Sequence, residues 1–420
     1  MSEYGISKLD LKRRNRMQIL RVIRENGAIS RVDISAFLHI TRAAVTIITN
    51  EMIAQGILEE VGEEPVDPGA EMRKGRRKIL LDINPTYRFA LGAYIDRDSV
   101  SIGLTTLNAA TMDKRTFAIQ PDTSVKDIVK MIRSTAKTML NNSCLTGEHI
   151  VGMGIGVMPN MWSEMGLLDR QGQPNFAKLE DMIGKGLGFR VFAGNAIALF
   201  ALASNRYQDH LGAPLNQVLL YEAEDAYHMA VLYQNNLREE FQKDTQVADA
   251  ICVNPGGRPC EGYCRGSVKA ELSPSAIGEK AAEFYSEEQT PELYRLTEGN
   301  GESITLAQIL SALDAGDTVL QPLVTELLNQ FCLMLNNLEK MFFAGRISMY
   351  KFGFTTSNLE MIRSHMEQLA GAASAEKLVL CDIEDRHHFL SGCAYAIQNG
   401  FFCSGGLDDA YGVDELGTLE

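Results

Sequence analysis

From Leu9 to Glu25 the apolar residues Leu11, Met17, Ile19, Leu20, Val22 and Ile23 recur at near-helical spacing, and Asn26-Gly27 stops the run. This predicts a first helix. Ser30 stands where an N-cap is wanted, ahead of "RVDISAFL", whose Val32, Ile34, Ala36, Phe37 and Leu38 predict a short second helix. After the turn "HIT", Thr41 caps a third helix, "RAAVTIITNEMIAQG", with Val45, Ile48, Met52 and Ile53 facing inward and Gly56 closing the end. "ILEEV" and "KILLDI" then read as two strands around a polar tip. Helix, short helix, tight turn, helix and hairpin is the plan of a winged helix-turn-helix.

Beyond residue 82 the period changes. "RFALGAYIDRDSVSIGLTTL" alternates through two strands with a charged turn at "DRD", and "HIVGMGIGVMPN" is a buried strand entering a Gly/Pro-bearing loop. "LEDMIGKGLGFRVFAG" reads as helix then strand, and "QVLLYEAEDAYHMAVLYQNNL" as a second hairpin. Helices from about 305 to 344 lead to the strand "ISMYKFGF". The body is therefore an α/β fold of two related lobes. The expected domains are a winged helix over 1–82, a first lobe over 83–195 completed by a C-terminal helix within 386–420, and a second lobe over 196–385.

Charge separates the head from the body. The chain of 420 residues carries a net charge of −14, yet residues 1–32 hold eight Lys or Arg against three acids, and "RKGRRK", Arg73 to Lys78, adds a basic wing tip. Only the head suits a polyanion, and the acidic body would repel one. The polar start "MSEYGISKLDLKRRNR" is no secretory signal, and no apolar run is long enough to span a membrane, so a cytoplasmic location with no membrane partner is expected. The eight cysteines are scattered and predict reduced thiols rather than a disulfide framework.

The start of the third helix supplies what a major-groove reader needs. Arg42 can reach guanine or phosphate, Thr41 and Thr46 can contact phosphate or a thymine methyl, and the small Ala43 and Ala44 permit close approach. Ser30 and Arg31 precede the second helix, and Arg73, Lys74, Arg76 and Arg77 would lie over phosphates or the minor groove. These eleven residues form the expected interface with double-stranded DNA.

"RAAVTIITNEMIAQGILEEVG", the basic Gly-Arg wing and "LGAYIDRDSVSIGLTTLN" together resemble the ROK family of bacterial repressors and sugar kinases, with a likeness spanning essentially the whole chain. The resemblance implies a winged helix joined to a two-lobed, actin-like sugar kinase fold. It also implies a palindromic operator, a homodimer or tetramer, a role in carbohydrate metabolism and release by a sugar or related effector. The alternative it carries is a sugar kinase using ATP.

The positions that match the kinase motifs speak against that alternative. The first phosphate-cradling turn reads "IDRDS", Ile95 to Ser99, without a glycine pair, and the catalytic Asp position in "GNAIA" is Ala196. An alanine cannot take a proton from a sugar hydroxyl. The second phosphate loop falls on "EDAYHM", Glu224 to Met229, which has no glycine. An inactive body for oligomerisation and sensing is expected. Asn160 and Asn195 remain to contact an effector, Lys269 stands at a sugar-binding Glu position, and Trp162 either stacks on a ring or packs.

The family zinc loop aligns with "CEGYCRGSVK", Cys260 to Lys269, and keeps only Cys260 among its cysteines. Cys252, Cys260 and Cys264 leave two readings open: a zinc site completed by His228 or water, or a metal-free loop. No cofactor is expected, with zinc as the alternative.

Overall fold

The computed structural model describes residues 8–64, 77–120, 122–207, 214–381 and 383–407. Packing divides the chain into two compact units. One gathers residues up to 196 together with 385 onward, and the other holds 197–204 and 214–384.

The first unit opens with α1 (Lys8–Asn26), β1 (Ile29–Ser30), α2 (Arg31–Leu38), α3 (Arg42–Ala54), β2 (Leu58–Glu63) and β3 (Ile79–Ile83). The three strands form an antiparallel sheet in the order β1-β3-β2. Ser30 caps α2 by accepting from Asp33 N, and Thr41 caps α3 by accepting from Ala44 N. Between them His39 takes a left-handed φ of 52° and ends α2, the role glycine commonly fills. Ile19, Leu20, Ile23, Ile34, Val45, Met52, Ile57 and Leu81 are fully buried at the centre of this three-helix module.

The body of the first unit follows: β4 (Phe89–Ile95), β5 (Ser99–Thr106), β6 (Thr111–Ala118), α4 (Val125–Asn142), β7 (Ile150–Val157), α5 (Ala177–Gly184) and β8 (Val191–Asn195). Its strand order is β6-β5-β4-β7-β8, an antiparallel meander continued by parallel strands. Strand β7 is buried at every position, as its unbroken apolar and glycine composition requires of a strand covered on both faces.

The second unit starts within α6 (Ala196–Tyr207) and repeats the scheme. It contains β9 (Gln217–Ala223), β10 (Ala226–Tyr233), β11 (Asn236–Leu237), α7 (Glu240–Lys243), α8 (Val268–Leu272), α9 (Pro274–Ala282), α10 (Pro291–Leu296), α11 (Leu306–Ala315) and α12 (Gln321–Phe342). It ends with β12 (Arg346–Tyr350), α13 (Thr356–Ala370), α14 (Ala372–Ala375) and β13 (Leu378–Leu380). The order β11-β10-β9-β12-β13, with the same antiparallel and parallel pairings, matches that of the first sheet strand for strand. The two sheets therefore share one topology.

The chain then returns to the first unit as α15 (Phe389–Ile397), followed by a π-helical turn, Gln398–Phe402. Helix α15 lies directly on β4 and β7 because glycine faces glycine there: a methyl on Gly154 would overlap the carbonyl of Gly392, and one on Gly392 would overlap that of Gly154. The same return ties down the winged helix. Arg16, fully buried, donates from Nε to Gly405 O at 2.9 Å and from Nη2 to Gln55 Oε1 at 2.8 Å. Arg13 donates to Cys403 O at 3.1 Å, and Arg24 donates to Gln398 Oε1 at 2.9 Å while standing 4.5 Å over the Phe402 ring. Ile19, Ile23 and Ile57 share one apolar cluster with Phe389, Ile397 and Phe401. Leu11, expected in the apolar stripe of α1, is instead 50% exposed, because Arg13 and Arg16 occupy the face that meets the chain end.

Candidate nucleic-acid interface

Helix α3 is two-faced. Val45, Ile48, Thr49 and Met52 are buried, whereas Arg42, Ala43, Thr46, Ile47 and Asn50 are exposed and recur along one side. Thr46 donates its hydroxyl back to Arg42 O at 2.8 Å, so toward a partner it presents a methyl and oxygen lone pairs. Among the described residues the Arg42 guanidinium makes no hydrogen bond or ion pair. Ile47, at 68% exposure, is the most exposed large apolar side chain of this helix. Neither Ile47 nor Asn50 was singled out from the sequence, although Ile47 falls outside the inward period set by Val45, Ile48 and Met52.

The structure brings Thr41, Arg42, Ala43, Ala44 and Thr46 to the first turns of α3, and uses Ser30 and Arg31 elsewhere. Ser30 is buried, donates to Asp33 Oδ2 at 2.6 Å and serves as a cap. Arg31 donates to Thr49 Oγ1 at 3.1 Å, and to Asn50 Oδ1 and Glu60 Oε1 at 3.0 Å each. Ser30 thus serves its own helix, and Arg31 ties α2 to α3 and to β2. On the wing, Arg77 is exposed and reaches Glu63 Oε2 at 3.3 Å, while Lys78 pairs with Asp33 at 3.0 Å. Arg73, Lys74 and Arg76 lie outside the described residues.

The body's two hairpin turns contrast with this open face. In the first unit the Asp96 carboxylate accepts from Tyr94 Oη at 2.9 Å, from Arg97 N at 2.7 Å and from Asn160 Nδ2 at 3.2 Å. A carboxylate thus sits in the turn where a phosphate would need amides. Ala196 is fully buried at the start of α6, and Asn195 is fully buried at the end of β8. Asn160 Oδ1 is buried without a hydrogen-bond partner. Trp162 packs edge-on against Phe176 and donates to Val157 O at 3.2 Å, so the structure places it in packing.

In the second unit Asp225 accepts from Ser275 N at 2.8 Å and Ser275 Oγ at 2.9 Å, and Lys269 donates to it at 2.8 Å and to its backbone carbonyl. Lys269, at the position of the sugar-binding Glu, holds an internal acid. Burial pushes the neighbouring carboxyls up, Glu222 to about 7 and Asp249 to about 6, and pushes His228 down to about 4. The His228 ring pairs with Thr245 Oγ1 at 2.8 Å through Nδ1.

The three thiols part company. Cys252 lies 3.6 Å from Arg265 O, Cys264 3.6 Å from Ala250 O, and Cys260 3.8 Å from Glu261 O. Among the described residues no three His, Cys, Asp or Glu side chains are grouped to hold a metal ion, so Cys252, Cys260 and Cys264 are not brought together as a ligand set. No described helix is long and apolar enough to cross a membrane.

These elements define the class: a winged helix-turn-helix joined to a body of two like-ordered sheets. A winged helix-turn-helix DNA-binding family model matches residues 12–59. A ROK family transcriptional regulator, a homologue of the E. coli Mlc protein, superposes with a TM-score of 0.63 over 94% of this chain and 98% of its own, at 17% identity. A ROK hexokinase from Thermus thermophilus superposes over the body, with a TM-score of 0.52 over 74% of this chain and 98% of its own, at 15% identity. The fold is that of the ROK regulators. In sequence, a putative xylose repressor of Caldicellulosiruptor sp. (strain Rt8B.4) is 26% identical over 147 residues, 35% of each chain. The xylose repressor of Staphylococcus xylosus is 27% identical over 144 residues, 34% of this chain and 36% of its own. The chain thus matches about a third of the length of these curated relatives.

Proposed function

We propose that the chain is a cytoplasmic transcriptional repressor of the ROK type, which grips a palindromic operator with α3 and uses an inactive kinase-like body for assembly and sensing. The observation that carries this reading is the open face of α3, where an unengaged Arg42 stands among small residues on a capped helix of helix-turn-helix geometry. Such a helix enters the major groove with its N-terminal residues at base edges. The sequence likeness to xylose repressors supports the regulatory role. A homodimer, or a pair of dimers, meets the symmetry of a palindrome.

Phosphotransfer is not part of the reading. Ala196 stands where a base is required, and Asp96 and Asp225 fill the two turns that would hold phosphate. A sugar is the effector class favoured, since Asn160 keeps a buried acceptor for a hydroxyl and Lys269 is consumed by Asp225. The reading includes no zinc, because each thiol faces a different carbonyl. Stoichiometric zinc in the purified protein would reinstate it.

The test is a gel shift with duplex DNA from the region upstream of the chain's own gene. Specific binding is expected, with affinity falling steeply with salt as phosphate contacts release counterions. Salt-independent binding, or none to any duplex, defeats the reading. ATP-dependent phosphorylation of a hexose would restore the kinase alternative.

A further inference from the structure

We infer that Ile47 is a specificity residue that reads a thymine 5-methyl group in each operator half-site. The inference rests on the DNA-binding reading above and goes beyond it to the base being read. What singles out Ile47 is its place: a large apolar side chain, 68% exposed, on the same open face of the third helix of the helix-turn-helix as Arg42, Ala43 and Thr46. Ala43 stands one turn before Ile47 on the same side, and the Thr46 hydroxyl is turned back to Arg42 O. The central part of the open face is therefore methyl-rich, and Arg42 at its N-terminal end is its free cation. The major groove offers one apolar feature to such a surface, the thymine methyl, as it offers the guanine O6/N7 pair to an arginine.

Arg42 and Ile47 stand five residues apart on the open face of α3, so Ile47 addresses a base distinct from any that Arg42 reads. The polar groups that flank Ile47 do not compete for that base: Arg31 holds Asn50 Oδ1, and Thr49 donates inward to Val45 O at 2.8 Å.

The experiment selects binding sites for the full chain from a random duplex library, then replaces each thymine of the best site by deoxyuridine, which removes only the methyl. Affinities are read by fluorescence anisotropy. The wild-type chain should lose about three- to fivefold per half-site at one thymine position, the value of one methyl group withdrawn from water. Ile47→Ala should bind the thymine site more weakly by a similar factor and ignore deoxyuridine at that position, while Ile47→Val keeps partial sensitivity. Unchanged thermal melting of Ile47→Ala checks that the fold is intact. A flat deoxyuridine scan for the wild type, or an Ile47→Ala chain that keeps the full penalty at the same position, overturns the inference while leaving DNA binding standing. A selection that yields no specific site removes the DNA-binding reading and this inference together.

Discussion

Arg42 and Arg16 belong to the same small module and look alike in the sequence, each a positive charge in a basic head. In the structure Arg42 is exposed and unengaged among the described residues, whereas Arg16 is fully buried and bonded to Gly405 O and Gln55 Oε1. The difference teaches that positive charge near a helix-turn-helix has two separate uses. One set of guanidiniums is left over for a partner, and another is spent on holding the module to the rest of its unit. Arg13 and Arg24 belong with the second set, whereas Arg31 is spent inside the module on Thr49, Asn50 and Glu60. The body obeys the same distinction within each unit: Tyr94, Arg97 and Asn160 hold Asp96, and Lys269 and Ser275 hold Asp225.

The contrast breaks most sharply on Arg16. Arg16→Ala should destabilise the chain by about 3 kcal/mol, since it strips the buried Gly405 carbonyl of its donor and opens a void. Chemical denaturation measures this, and a loss below about 0.5 kcal/mol would place Arg16 with the uncommitted surface charges. A second large effect tests a group hidden by burial alone. Glu222, with its carboxyl pushed up to about 7, holds its proton in the folded state. The unfolded chain releases that proton from about 4.5, so the stability it contributes is complete below about 4.5 and is lost as pH rises through about 7. Glu222→Gln should flatten the fall in melting temperature between pH 5 and 8 and gain up to roughly 2–3 kcal/mol at pH 8. An unchanged pH profile rules this out.

Arg42→Ala should do the reverse of Arg16→Ala. Stability should stay within about 0.5 kcal/mol, while operator affinity falls by about 1–3 kcal/mol, roughly ten- to a hundredfold. Operator binding that survives intact at physiological salt would remove Arg42 from the interface. The smallest effect sharpens the contact between head and chain end. Gly405 has a φ of 68°, and a side chain there would meet Arg13 O and Arg16 Cβ at 3.2 Å each. Gly405→Ala should cost about 1–2 kcal/mol from the left-handed backbone alone, read as a lowered melting temperature. Equal melting temperatures would show that the strap relaxes freely.

The elements themselves were legible. Ser30 and Thr41 announce two caps, Asn26-Gly27 and Gly56 announce two ends, and the charged turn at residues 96–98 separates two strands, which are buried after their first residue instead of alternating. Local chemistry sets such features, so a local pattern reveals them. What escaped depends on contacts distant in sequence. Nothing near Arg16 shows that a carbonyl at position 405 will meet it, and nothing near Lys269 names Asp225 as its acid. The candidate site residues divide along the same line. The exposure of Arg42, Ala43 and Thr46 follows from helix period, whereas charge and hydroxyl chemistry at Ser30 and Arg31 do not reveal their internal partners.

The π-helical turn and Gly405 behind it matter for anyone wishing to exchange reading heads between regulators. A head cut after residue 82 would carry away Arg13, Arg16 and Arg24 but leave behind Cys403, Gly405 and Gln398, together with the aromatic cover of Phe401 and Phe402. Such a graft exposes an oily surface studded with unmatched guanidiniums. A portable head is a discontinuous piece, with its keystone near the far end of the polypeptide.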